Sequence, residues 1–67
     1  MITILCNGEA RRLDEEMSVE ELMAALGLNP DTVVAELNGR ILARPEYAVA
    51  KLTDGATLEL IRFVGGG

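Results

Sequence analysis

The sequence has no histidine and one cysteine in 67 residues. Without histidine there is no imidazole to act as a base or to ligate a metal near neutral pH. A single cysteine closes no internal disulfide and assembles no thiolate metal site, and a chain without such staples suits a reducing compartment. Long apolar runs are also missing, and the opening "MITILCNGE" places no basic segment ahead of its short apolar stretch. These absences predict a soluble, cytoplasmic protein with no signal peptide and no membrane span. Positive charge is scarce: Lys and Arg number 6 against 11 Asp and Glu, for a net charge of −5. Phosphate backbones are gripped by basic stripes, so this balance argues against a nucleic-acid partner and favours a protein partner with basic patches.

What is present is enough for one small domain. The apolar fraction is 49%, which a wholly disordered chain would not carry. A chain of this size buries only about 60% of the surface it exposes when unfolded. That leaves room for one helix on one sheet and little for a deep catalytic cleft.

The order of elements follows from periodicity. "ITILCN" alternates, with Ile2, Ile4 and Cys6 on one face and Thr3 and Leu5 on the other. Asn7-Gly8 tolerates the left-handed conformation of a tight hairpin turn, so "EARRL" is the returning strand, with Glu9, Arg11 and Arg12 in solvent. In "SVEELMAALG", Ser18 is an N-cap and Glu21, three residues on, completes a capping box. Val19, Leu22, Met23 and Leu26 form one apolar stripe. Gly27 closes the helix and Pro30 prevents its resumption. "TVVAELNGRIL" is a second strand–turn–strand unit about Asn38-Gly39. "ARPEYAVAKL" is irregular, with a short helical turn from Pro45 to Ala48, and "ATLELIRFV" is the final strand after a turn at Asp54-Gly55. The order β-β-α-β-β-β predicts an α+β fold: a mixed sheet of four to five strands with one helix packed across one face. The other face is left to solvent or to a partner. The acidic run "DEEMSVEE" is read as a solvated face plus helix N-terminal charge. Cys6, in line with Ile2 and Ile4, is expected to be a buried, unreactive thiol.

Two features are left over. By strand parity Leu58 and Leu60 point to the core, while Thr57, Glu59, Ile61 and Phe63 point outward. Ile61 and Phe63 would then be an exposed apolar pair of the kind that marks an interaction site. Beyond them stand Gly65, Gly66 and Gly67. Extended, three such residues reach about 10 Å. Lacking side chains, they would thread a narrow channel and carry the Gly67 carboxylate to a distant active site. A domain over 1–64 with a flexible glycine tail over 65–67 is the expected organisation.

Taken together, "NGE", "SVEELMAALGL", "VVAELNGRIL", "LTDGATLEL" and "IRFVGGG" occur in an order and at spacings that resemble the ThiS family, the ubiquitin-like β-grasp sulfur carriers of thiamin thiazole biosynthesis. The resemblance covers essentially the whole chain. Here three glycines close the sequence, so Gly66 and Gly67 match the family's terminal pair and Gly65 is additional. The resemblance implies that a ThiF-like adenylating enzyme, using ATP and Mg, activates the Gly67 carboxylate. A relay from a cysteine desulfurase then converts it to a thiocarboxylate, and a ThiG-like thiazole synthase receives the sulfur. On this reading Gly65 and Gly66 enter the partner's active site, and Ile61, Arg62, Phe63 and Val64 dock. The chain itself has no catalytic residue, no metal and no cofactor; it is a protein cosubstrate. The alternatives are the small subunit of molybdopterin synthase, a sulfur carrier of another pathway, a ubiquitin-like modifier and a plain binding module.

Overall fold

In a computed structural model the described residues are 1–63. Strand β1 (Ile2–Cys6) turns through Asn7-Gly8 into β2 (Glu9–Leu13). Both turn residues take positive φ, 51° at Asn7 and 82° at Gly8, the conformation such two-residue hairpins require. The hairpin register pairs Ile2 with Leu13 and Cys6 with Glu9.

Helix α1 (Val19–Ala25) follows a two-residue strand, β3 (Met17–Ser18). The capping box is present in full. The Ser18 hydroxyl accepts from the Glu21 N–H at 3.0 Å, and the Ser18 N–H donates to Glu21 Oε1 at 2.8 Å. Such caps matter here because seven residues make a helix that is marginal without tertiary contacts. Val19, Leu22 and Met23 are buried, whereas Leu26 is only half-buried because it is already the C-cap residue. Pro30 ends the helical run as expected but also opens a 3-10 turn over Pro30–Thr32, capped by the Asn29 side chain. Strand β4 (Val33–Leu37) and short β5 (Arg40–Ile41) form the second hairpin. A 3-10 turn over Arg44–Ala48, strand β6 (Lys51–Leu52) and β7 (Thr57–Arg62) complete the described chain.

Five strands form the main sheet in the order β2-β1-β7-β4-β5. The last strand in sequence lies at its centre. It runs parallel to β1 and antiparallel to β4, so the sheet is mixed, as the order of elements implied. The sequence reading had no place for β3 and β6, which pair with each other as a separate two-stranded ribbon, Met17 opposite Leu52 and Ser18 opposite Lys51.

The core lies between the helix and one face of the main sheet. Ile4, Val19, Leu22, Met23, Leu52 and Leu58 are its largest fully buried side chains. Tyr47 packs among them, and its hydroxyl donates to the Val33 carbonyl at 2.6 Å, giving the buried polar tip a partner. Cys6 is buried, and burial pushes its thiol pKa up, with Arg11 offsetting part of the effect. Fewer thiolates form as that pKa rises, in keeping with the unreactive thiol expected. No helix among the described residues is long and apolar enough to cross a membrane.

Candidate functional site

Of the expected docking residues, Ile61 and Arg62 close the central strand β7 and Phe63 follows it. Leu58 and Leu60 face the core, while Ile61 is 54% exposed and Phe63 67% exposed, so the alternation read from "LELIRF" holds. Arg62 breaks it. Parity directs Arg62 to the helix side, opposite Val33, yet it is exposed. The candidate tail residues Gly65, Gly66 and Gly67, with Val64, lie outside the described residues. The expected boundary at residue 64 and the flexibility of the tail lie there too.

Backbone order persists to the last described residue. The Phe63 N–H donates to the Thr32 carbonyl at 3.0 Å, one step beyond the Val33–Arg62 pairing. On the other side of β7, the neighbouring strand β1 ends at Cys6 and a side chain takes over. Asn7 Oδ1 accepts from the Leu60 N–H at 2.8 Å, and Asn7 Nδ2 donates to the Leu60 carbonyl at 3.3 Å. The carboxamide thus supplies one acceptor and one donor, as a strand residue would. Asn38 in the second hairpin does a related thing at the start of β7: its Oδ1 accepts from the Thr57 N–H at 2.9 Å, and its own N–H donates to the Thr57 carbonyl at 2.7 Å. Both asparagines have φ of 51°. The Asn-Gly pairs were legible as turns, but the use of their side chains to hold the central strand was not.

Registers show what surrounds Ile61. On the face away from the helix, Ile61 lies opposite Val34, Glu59 opposite Glu36, and Glu36 in turn opposite Ile41. Leu5 of β1 lies beside Thr57 on the same face. Ile41 is 66% and Leu5 45% exposed. The apolar patch is therefore broader than the pair expected from β7 alone. Sequence reasoning assigned Leu5 to the outer face of its own strand but could not join it to Ile61 without the strand order. Among the described residues no cluster of three or more His, Cys, Asp or Glu is placed to hold a metal ion.

The sequence pattern of the ThiS family matches residues 4–67. The chain belongs to the ThiS family. Among curated proteins, the sulfur carrier protein ThiS of Bacillus subtilis (strain 168) is 32% identical over 50 residues, covering 75% of this chain and 76% of that protein. A thiazole synthase of Paramagnetospirillum magneticum is 38% identical over 64 residues, 96% of this chain. The chain spans about a fifth of the length of the thiazole synthases it matches. Among solved structures, the crystal structure of the thiamine biosynthesis protein ThiS from Geobacter metallireducens superposes with a TM-score of 0.84 at 33% identity, over 98% of this chain and 100% of that one. The ubiquitin-like β-grasp architecture implied by the resemblance is the one found.

Proposed function

We propose that this chain is a sulfur carrier of thiamine biosynthesis, a protein cosubstrate with no catalytic group of its own. The observation that carries the proposal is the family match through residue 67, which includes all three terminal glycines. The likeness to ThiS proteins in sequence and in fold supports it. The similarity to thiazole synthases supports a thiazole synthase as the partner that receives the sulfur.

In this reading the Gly67 carboxylate attacks the α-phosphate of ATP in a ThiF-like enzyme, with Mg held by that enzyme, and pyrophosphate leaves. The terminal sulfur of a persulfide on the desulfurase relay then attacks the acyl carbon and AMP leaves. A second thiol of the partner cleaves the resulting acyl disulfide, forming a disulfide with the relay cysteine and releasing the thiocarboxylate. Adenylation is needed because a carboxylate is a poor electrophile until its oxygen becomes part of a leaving group. Gly65 and Gly66 bring the carboxyl to the reacting atoms without side chains to exclude. Ile61, Arg62, Phe63 and Val64 contact the partner.

Intact-protein mass spectrometry on the chain incubated with ATP, Mg, the adenylating enzyme and a sulfur donor tests this. The expected result is a mass rise equal to replacement of one oxygen by sulfur, mapped to Gly67. An unmodified chain beside active partners would overturn the proposal, and a ladder of protein conjugates would replace it with a modifier role.

A further inference from the structure

The face of the sheet away from the helix holds a pair that the fold does nothing to satisfy. Glu36 on β4 and Glu59 on β7 stand directly opposite each other. Side chains so placed have Cβ atoms about 4.5–5.5 Å apart, and like charges there are destabilising. Neither carboxylate has a salt bridge or a side-chain hydrogen bond among the described residues. The arginines that follow β4 are directed elsewhere: Arg40 pairs with Glu46, and Arg44 with Glu20 and Asp31. Four large apolar residues stand exposed on or next to this face: Leu5, Ile41, Ile61 and Phe63.

An apolar surface with an uncompensated double negative charge within it is complementary to an apolar surface carrying a cation. We infer that the Glu36–Glu59 pair is the receptor for a basic side chain of the thiazole synthase, seated when that enzyme covers the Leu5, Ile41 and Ile61 face. The partner's identity rests on the sulfur-carrier reading above. An arginine suits the site best, because its planar fork reaches two carboxylates at once. Closing the contact excludes water around it, where an ion pair is stronger than at an open surface. The repulsion tolerated in the free chain is relieved only in the complex, so the pair favours association at the expense of the unbound fold.

This coupling makes the inference testable from both sides. The experiment compares the parent chain with Glu36→Gln/Glu59→Gln, and with Glu15→Gln/Glu16→Gln as a control of equal charge change at exposed positions off the sheet. In the free chain the first double variant should raise the thermal unfolding midpoint by roughly 1–5 °C. Its affinity for the cognate thiazole synthase, measured by titration calorimetry, should fall on the order of tenfold or more, with a shallower dependence on salt than the parent. The control should keep the parent's affinity to within about twofold. Parent-like affinity in the Glu36/Glu59 variant would overturn the inference and leave the carrier reading intact. A lowered midpoint in that variant would overturn its premise of repulsion. A parent chain that does not bind the thiazole synthase would remove that enzyme as the occupant, and the inference with it.

Discussion

The two faces of the central sheet are built to opposite rules. On the helix side, the ionic side chains Asp31, Arg44 and Glu46 of the two 3-10 turns are all paired. Arg44 Nε lies 2.9 Å from Asp31 and Arg44 Nη1 3.1 Å from Glu20, tying the second 3-10 turn to the first and to α1. The same guanidinium sits 5.3 Å from the centre of the Tyr47 ring. Arg40 and Glu46 pair at 2.9 Å, and Glu46 also accepts from the Ala43 N–H. The Arg40 contact holds the Glu46 carboxyl below its ordinary pKa, with the Ala43 N–H adding to the effect. On the open side, like charges face each other and large apolar groups meet solvent. The difference teaches that exposure alone does not define an interaction surface. What marks the open face is that the interactions available elsewhere on this small protein were not used there.

Substitutions on the covered face should therefore be read in stability, and those on the open face in binding. The largest effect is expected for Leu58→Ala, at a fully buried position on the central strand. Removing a buried leucine costs about 2–5 kcal/mol, a large part of what a domain this size has at about 0.05–0.15 kcal/mol per residue. Urea unfolding should show either a much earlier midpoint or no cooperative transition. A shift confined to partner affinity would invert the comparison.

Next comes the helix cap, which the comparison assigns to the covered side. Ser18→Ala should cost about 1 kcal/mol. Its companion Glu21 has a pKa lowered by hydrogen bonds with Ser18, the backbone N–H foremost. Since the folded carboxyl has the lower pKa, the unfolded chain holds more protons between the folded value and the ordinary one. The stabilisation is thus complete above the ordinary carboxylate pKa and is lost as pH falls through the folded value. In Glu21→Gln the acid limb of the stability profile should be shallower. An identical slope would show that the bond counts for little in solution.

The smallest stability effect is expected for Phe63→Asp on the exposed end of β7, within about 0.5 kcal/mol. On the proposed function, adenylation should nonetheless slow through weaker docking. Unchanged adenylation kinetics would take Phe63 out of the docking surface.

Much of this architecture was legible because its signals are local. The Ser18–Glu21 box lies within four residues, the Asn-Gly turns within two, and the alternation of "LELIRF" within one strand. What escaped is non-local. Strands β3 and β6 have two residues each and exist through the pairing of Met17 with Leu52, 35 positions apart (52 − 17), so no periodicity announces them. The opposition of Glu36 and Glu59 likewise appears only when β7 is placed beside β4. Arg62 left the pattern where β7 outruns its neighbour: β1 ends at Cys6, beside Leu58, and gives Arg62 no strand partner on that side. For the candidate site, the apolar residues of β7 were visible in the sequence, and the rest of the face was not.

The placement of β7 also has a mechanical meaning. On the proposed function the terminus is drawn into another protein, and any force on it runs along the strand that leads to it. An edge strand pulled from its end can peel, giving up its bonds one after another. Here the strand is flanked on both sides, by β1 and by β4, and is gripped by the Asn7 carboxamide near its C-terminal end. Tension along its axis meets those lateral bonds in shear, where they resist together. The grip lies at Leu60, two residues before the strand ends, so traction on the terminus is borne by the sheet before it reaches the core.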